Sequence, residues 1–371
     1  MKIAYITKTP WGENSPGFVF SYFQSKGFAE NGLNTSLLMK IAKSKIDDQK
    51  RIDKNLIKNH KVKLFKDNFG FIKSNEIFYK RVKRYIENNN FDILFSRDPG
   101  FLPYLSKLKK SLKIKTFYQS HNFYLDFNLH EYKNSLNRKK FHHNEKEFIK
   151  DLNCLFTLND PQKKLYEKYV DTPIAACPPG LDLKKNLINN FKKRKVLYSG
   201  SFQKIKGIDD IIKIWNQGNF QNATLSLVGG RNKKEMQYAK SLIKSTKNNL
   251  SVKSWLSYNS LINYMKEISI GLIFLPDDFY NRYLTAPTKM FDFISCGIPV
   301  VCTELPSTKN LIPEGHQGVK LIKSKKRAEY INAIKELLED EKKYDIAHKS
   351  NINLSKDITW KKMSKNFIKY F

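Results

Sequence analysis

The sequence has no apolar run near the roughly 20 residues that a bilayer-spanning helix requires, so a transmembrane anchor is not expected. Cysteine is sparse: Cys154, Cys177, Cys296 and Cys302 are scattered without Cys-x-x-Cys spacing, each in an apolar stretch. That pattern predicts buried free thiols rather than disulfides or metal ligands. Neither Gly-x4-Gly-Lys-Ser/Thr nor Gly-x-Gly-x-x-Gly occurs, which removes the Walker loop and the dinucleotide turn. No Asp-x-Asp pair is present, so one common carboxylate cradle for a divalent cation is missing. Zinc-finger ligands, helix-turn-helix spacing and an aromatic ribonucleoprotein sequence are all lacking as well. Met1-Lys2 leads into an apolar stretch too short for a signal-peptide core, and the chain is expected in the cytoplasm.

What the chain has in excess is lysine. The formal charge is +32 and the isoelectric point about 9.7, yet only nine of the 67 basic residues are arginine. Asparagine and isoleucine are also abundant, which assigns part of the charge to A/T-rich codons. The rest is a field that draws anionic surfaces. Lys107-Leu-Lys-Lys110, Lys113 to Lys115 and Arg138-Lys-Lys140 lie among Phe, Tyr and Leu, and are expected to rest on an anionic cytoplasmic leaflet or to form a solvated basic face. Nucleic-acid binding would be salt-sensitive and sequence-blind, so no specific nucleic-acid partner is expected.

The 371 residues suit two domains, and 40% apolar content fills two ordinary cores. Short apolar runs alternate with helical segments in both halves, which predicts α/β architecture. Strands are expected at 3–7, 35–39, 62–65, 93–96, 115–119, 154–158 and 174–177. A second set is expected at 196–199, 224–228, 250–253, 271–275, 298–302 and 319–322. The polar, basic stretch 183–195 after Pro178-Pro-Gly180 reads as a linker, and 360–371 as a terminal amphipathic helix.

Two segments carry chemistry. From Leu284 to Val301 the residues predict a helix with Pro287 in its first turn, Asp292 along it, Gly297 just past its end, and then a buried strand. The helix N-terminus, near Pro287, Thr288 and Lys289, is a potential anion site. Asp292 lies near enough to meet a sugar hydroxyl beyond that anion, or is a helix acid favoured by the dipole. Lys289 either joins the anion site or is an ordinary helix lysine. From Arg194 to Ile212 a strand ends at Gly200, where the backbone can approach a ligand closely. A short loop with Ser201, Lys204 and Lys206 follows, and a helix opens at Gly207.

In this order the two segments resemble the C-terminal half of GT-B glycosyltransferases of the family 4 type. Gly200, Lys206 and Gly207 match the family's Gly-Arg/Ser-x4-Lys-Gly, with Ser201 where many members have arginine. Asp292, Gly297, Pro299, Val300 and Val301 match its acidic helix and Gly-x-Pro-Val-Val, and Pro287, Lys289, Asp292 and Phe293 fit the Pro-x-Lys-x-x-Glu-Tyr subgroup. The segments 1–7, 12–17, 92–103, 118–124, 178–182 and 358–360 fit the family's other landmarks, so the resemblance spans nearly the whole chain.

The resemblance implies two Rossmann-like domains facing across a cleft. Residues 1–182 would bind the acceptor, 183–358 a nucleotide-sugar donor, and 359–371 would form a helix crossing back to the first domain. It implies retaining transfer of a sugar from a nucleotide diphosphate to a glycan or lipid-linked acceptor in cell-surface polysaccharide synthesis, with no metal or other cofactor. Negative charge builds on the leaving phosphate, and without Asp-x-Asp the expected clamp is Lys206 with the helix N-terminus, flanked by Gly200 and Ser201. Asp292 would hold the ribose hydroxyls as a two-acceptor carboxylate. Position 284, where many members place a glutamate facing the sugar, is Leu284; Asp277, Asp278 or Asn281 could stand in, or be solvated loop residues. Gly17, Arg97, Asp98 and His121 fall on the acceptor side, and Arg97 and Asp98 could instead pair with each other. Alternatives within the fold are a nucleotide-sugar-processing relative such as a 2-epimerase, or a member that binds without turnover.

Overall fold

The computed structural model describes residues 1–12, 15–41, 57–126, 136–185, 187–203, 206–243, 249–323 and 326–371. The chain divides into two compact units, Met1–Gly180 with Trp360–Phe371, and Leu181–Thr359.

The first unit is built on a seven-stranded parallel sheet. Its strands are β1 (Lys2–Pro10), β2 (Asn34–Lys40), β3 (His60–Phe65), β6 (Ile93–Ser96), β7 (Lys115–Gln119), β8 (Cys154–Thr157) and β9 (Ile174–Ala176), in the order β3-β2-β1-β6-β7-β8-β9. Every pairing is parallel. A separate two-residue antiparallel pair, β4 (Asn68–Phe69) with β5 (Ile72–Lys73), follows the edge strand β3. The helix Pro16–Glu30 starts on Ser15, whose Oγ accepts from the Phe18 amide at 3.3 Å. The helix Trp360–Ile368 packs against it at Gly27, where a Cβ would lie 2.7 Å from the Trp360 carbonyl oxygen.

The second unit carries six parallel strands: β10 (Lys195–Gly200), β11 (Thr224–Gly229), β12 (Leu250–Lys253), β13 (Ile270–Ile273), β14 (Val300–Glu304) and β15 (Val319–Lys323). Their order is β12-β11-β10-β13-β14-β15. Along β10, Val196 and Tyr198 enter one apolar core and Leu197 the other. Covered on both faces, central strands such as β10 read as continuous apolar runs, while the edge strand β3 alternates buried and exposed residues; all thirteen strands of the two sheets fall where the sequence predicts them. Both sheets reverse direction of winding at their first strand, between β1 and β6 and between β10 and β13. Ligands of doubly wound sheets settle outside the carboxyl ends of the strands at that point.

Asn190, in the stretch expected as a linker, is buried and donates to the Lys266 and Ile268 carbonyls at 2.8 and 3.2 Å. All four cysteines are buried and unbridged, as their apolar settings imply.

Candidate functional site

In the second unit the site grows from the loops that leave β10, β11 and β13. Gly200 ends β10 opposite Gly229 of β11. The approach is close: a Cβ on Gly229 would lie 1.7 Å from the Gly200 carbonyl oxygen. The loop after β10 is tied down by Glu235, which the sequence analysis did not single out. One carboxylate oxygen accepts from the Phe202 amide at 3.0 Å and the Arg231 amide at 3.1 Å, and the other accepts from the Gln203 side chain at 2.9 Å. Burial alone would raise this carboxyl; the Gln203 amide, the two backbone N–H groups and the Arg231 charge hold it below the usual carboxylate range. Ser201 offers its carbonyl to the Tyr198 hydroxyl at 3.1 Å.

Lys206 follows in a half-buried position, with its Nζ 5.3 Å from the centre of the Tyr280 ring. Burial lowers its ammonium below the ordinary range, Asp278 opposes the shift and the Arg231 charge adds to it. Arg231, just past Gly229-Gly230, is therefore a second cation near Lys206, and its guanidinium lies 5.2 Å from the Trp255 ring centre. Lys204 lies outside the described residues. Gly207 caps the next helix at φ +70, where a Cβ would meet the Phe274 ring at 2.3 Å.

The segment after β13 is not a plain loop. Residues Tyr280–Leu284 form a π turn in which Asn281 is buried, donating from Nδ2 to the Pro276 carbonyl and to Asp278, both at 3.0 Å. Expectation of a solvated Asn281 fails because its backbone carbonyl also accepts from the buried Ser307 hydroxyl at 2.5 Å. Asp277 pairs with Arg282, and Leu284 is fully buried. The helix Thr288–Ser295 then begins on Pro287, which is the residue before the first turn rather than within it: its ψ of 100 is extended, not helical. Pro287 has no side chain that can cap this helix; the Met290 amide turns back on the Pro287 carbonyl at 2.9 Å, and Thr288 and Lys289 supply the amides of its first turn. At the other end Gly297 takes φ +67, with Ile298 N–H on Phe293 O and Gly297 N–H on Ile294 O, both at 3.0 Å. That is the Schellman closure expected of its glycine. Asp292 and Lys289 face each other on this helix, Oδ2 to Nζ 3.2 Å.

The first unit gathers the acceptor-side candidates around β6 and β7. Asp98 does not pair with Arg97. Its Oδ1 accepts from Lys8 at 3.2 Å and from the Gly100 amide at 3.0 Å, and its Oδ2 accepts from the Tyr79 hydroxyl at 2.7 Å. Arg97 is buried with its guanidinium 3.6 Å from the centre of the Phe20 ring, and its Nε has no hydrogen-bond partner among the described residues. His121 follows β7 with its ring exposed. Neighbouring packing and the Arg97 and Lys8 cations hold the imidazole below its ordinary range. Gly17 sits in the first turn of its helix, where a Cβ would lie 3.4 Å from Thr9 Oγ1.

Beneath the His121 loop lies a fully buried carboxylate that the sequence does not advertise. Glu145 accepts from the Tyr118 and Tyr166 hydroxyls at 3.2 and 2.9 Å and from the Tyr124 amide at 2.9 Å. Burial raises its carboxyl to about 7 against those bonds. An acid whose folded pKa exceeds its unfolded 4.5 stabilises fully below 4.5 and loses that contribution as pH climbs to about 7. Melting curves from pH 5 to 8 should therefore fall more steeply for the parent than for Glu145→Gln, by the order of 2 to 3 kcal/mol across the range. Parallel slopes would remove Glu145 as the titrating group.

Residues 182–353, nearly the whole second unit, match the family model described as glycosyl transferases group 1. Over those residues the chain is similar to the group 1 glycosyltransferases. Over its full length it is similar in fold to sucrose-phosphate synthase from Thermosynechococcus elongatus, with a TM-score of 0.76 at 14% identity, covering 99% of this chain and 97% of that one. HepE of Anabaena, solved in complex with UDP and glucose, gives 0.72 at 14%, covering 100% and 98%. WaaG, a glycosyltransferase involved in lipopolysaccharide biosynthesis, gives 0.68 at 14%, covering 98% of each chain. At such identities the likeness establishes the fold, which is GT-B. No curated protein matches the sequence. The glycosyltransferase thus presents Lys206, Arg231 and an uncapped helix start on loops at the carboxyl end of its second sheet.

Proposed function

We propose that this glycosyltransferase is of the family 4 type and moves a sugar from a nucleotide diphosphate, held by the second unit, to a glycan or lipid-linked acceptor received by the first. The observation that carries the reading is the cationic set of Lys206 and Arg231 on the loops beside Gly200, with the uncapped start of the helix Thr288–Ser295. These groups suit a diphosphate, which gathers negative charge as the bond from the anomeric carbon to the phosphate oxygen breaks. Transfer is retaining: the acceptor oxygen bonds the anomeric carbon from the face the phosphate leaves, and its proton passes to the departing phosphate oxygen. The protein then needs to orient the reactants rather than supply a base. Asp292 accepts from the ribose hydroxyls beside Lys289, and His121 with Arg97 meets the sugar or acceptor. Cations in this arrangement replace a divalent metal. HepE in complex with UDP-glucose supports a nucleotide-sugar donor, and WaaG supports an acceptor in cell-surface polysaccharide. Among the described residues no helix is long and apolar enough to cross a membrane. The glycosyltransferase works in the cytoplasm, resting peripherally on the anionic inner leaflet where a lipid-linked acceptor is presented.

A panel of nucleoside diphosphates, read by thermal shift in the presence of chelator, tests this. One base should raise the melting temperature without metal, and Asp292→Asn should bind it tenfold or more weakly, for loss of charged hydrogen bonds worth about 1.5 to 3 kcal/mol. Stabilisation that appears only with magnesium or manganese would overturn the cationic clamp, and equal affinity in the variant would return Asp292 to the helix dipole.

A further inference from the structure

The short β4–β5 hairpin of the first unit presents three large apolar side chains to solvent. Phe69 is 75% exposed, Phe71 is fully exposed and Ile72 is 69% exposed. Phe69 and Ile72 are directly paired, so they project from one face of the hairpin, and Phe71 stands at the turn beside Gly70, which takes φ +54. Core formation does not explain them.

The hairpin is held rigidly at its base and left open at its tip. Ser74 N–H reaches the Asp67 carbonyl at 2.8 Å, and Arg81 donates to the Lys66 carbonyl at 2.9 Å. Asp67 is clamped by Lys40 at 3.1 Å and Lys73 at 3.5 Å, and Asn68 donates to the Gly70 carbonyl at 3.1 Å. The apolar tip is therefore preformed, and little ordering opposes its burial. Around it the chain is basic: Lys58, Lys61, Lys63, Lys66 and Lys73 are all exposed, and Asp67 is the only acid from 57 to 75. Lys61 and Lys63 alternate outward on β3, the edge strand of its sheet.

We infer that this hairpin is a membrane anchor, inserting Phe69, Phe71 and Ile72 among the lipids of an anionic leaflet while the flanking lysines meet the headgroups. Three apolar side chains are small beside the roughly 800 Å² that each partner of a standard protein interface buries, but ample for a shallow interfacial wedge. Anchoring of this kind combines two weak signals, apolar insertion and a polybasic patch. The basic clusters expected from the sequence need the help, since Lys109 and Lys110 are engaged by Asp151, Lys115 by the Phe371 carbonyl and Lys140 by Glu76. The inference rests on the membrane reading above and names the part of the protein that performs it.

Co-sedimentation of the full chain with phosphatidylglycerol-containing and pure phosphatidylcholine vesicles tests it. The parent should bind the anionic vesicles at 0.1 M salt, and the triple variant Phe69→Ser, Phe71→Ser, Ile72→Ser should bind them at least tenfold more weakly. Circular dichroism and the melting transition should be the same in both, which certifies the fold of the variant. Phe71→Trp should shift its added emission to the blue on anionic vesicles. Equal binding by parent and triple variant would overturn the hairpin while leaving the membrane reading intact. A parent that ignores both vesicles would overturn the two together and leave the hairpin as a surface for a protein partner.

Discussion

A Lys206→Ala variant should fold as the parent does and lose most of its nucleoside-diphosphate affinity and most of its transferase rate. The ammonium is half-buried and already held below its ordinary pKa by burial and by Arg231, so the folded state gains nothing from its charge at neutral pH. A lysine whose folded pKa is depressed favours the unfolded, charged state below that pKa, and removing it relieves a cost. The methylenes and the contact with the Tyr280 ring are lost, and the melting temperature should move by only a few degrees. Binding and catalysis respond oppositely. A diphosphate that loses its central cation forfeits charge-assisted hydrogen bonds of about 1.5 to 3 kcal/mol. The loss deepens in the transition state, where charge on the leaving oxygen is greatest, and kcat should fall by about 10² to 10³. Calorimetric titration and steady-state kinetics would check both. Undiminished nucleotide affinity would move the phosphate site away from the loop after β10.

Arg231 bears on the size of that effect. Ser201 stands where many family 4 members have arginine, and Arg231, from the neighbouring loop, brings a guanidinium near Lys206. With one cation remaining, the Lys206→Ala variant should retain weak nucleotide binding at low salt that disappears as salt shortens the Debye length from about 10 Å at 0.1 M to about 3 Å at 1 M.

The central strands of both sheets were legible because burial on both faces writes an uninterrupted apolar run into the sequence, and the edge strand β3 because its buried and exposed residues alternate. Gly297 was legible because an αL position after a helix favours glycine. Pro287 was misplaced by one position because proline's fixed φ suits both the first helical residue and the one before it, and only its ψ separates the two. Asn281 looked like a loop amide, but its environment is set by Asp278 and by Ser307, 26 residues away. The same reason hid Glu235 and Glu145. Their partners lie 33 and 27 residues off at Phe202 and Tyr118, and a carboxylate that ties loops together leaves no period in the sequence. The β4–β5 hairpin escaped notice because strands of two residues carry too little pattern.

Gly229→Ala should be among the most damaging single changes in the second unit, although it adds one methyl group. The new Cβ would lie 1.7 Å from the Gly200 carbonyl oxygen and 2.8 Å from its carbonyl carbon. Both are backbone atoms of the paired strand, so no rotamer change can yield the space, and the ends of β10 and β11 must part. Overpacking of this kind costs about 3 kcal/mol or more, which for a unit of this size is a fall of roughly 6 to 12 °C in its melting transition. Parting those strand ends also shifts Gly200, and with it the loop that Glu235 pins through Phe202, Gln203 and Arg231. Nucleoside-diphosphate binding should therefore weaken along with stability. Gly200→Ala is the control, since its Cβ would meet only the Tyr198 hydroxyl at 3.3 Å, the far end of a side chain that can give, and should cost under about 1 kcal/mol. Differential scanning calorimetry of the two variants, with and without nucleotide, separates the cases. A Gly229→Ala protein that melted within two degrees of the parent and bound nucleotide as well would show that the two loops do not approach as described.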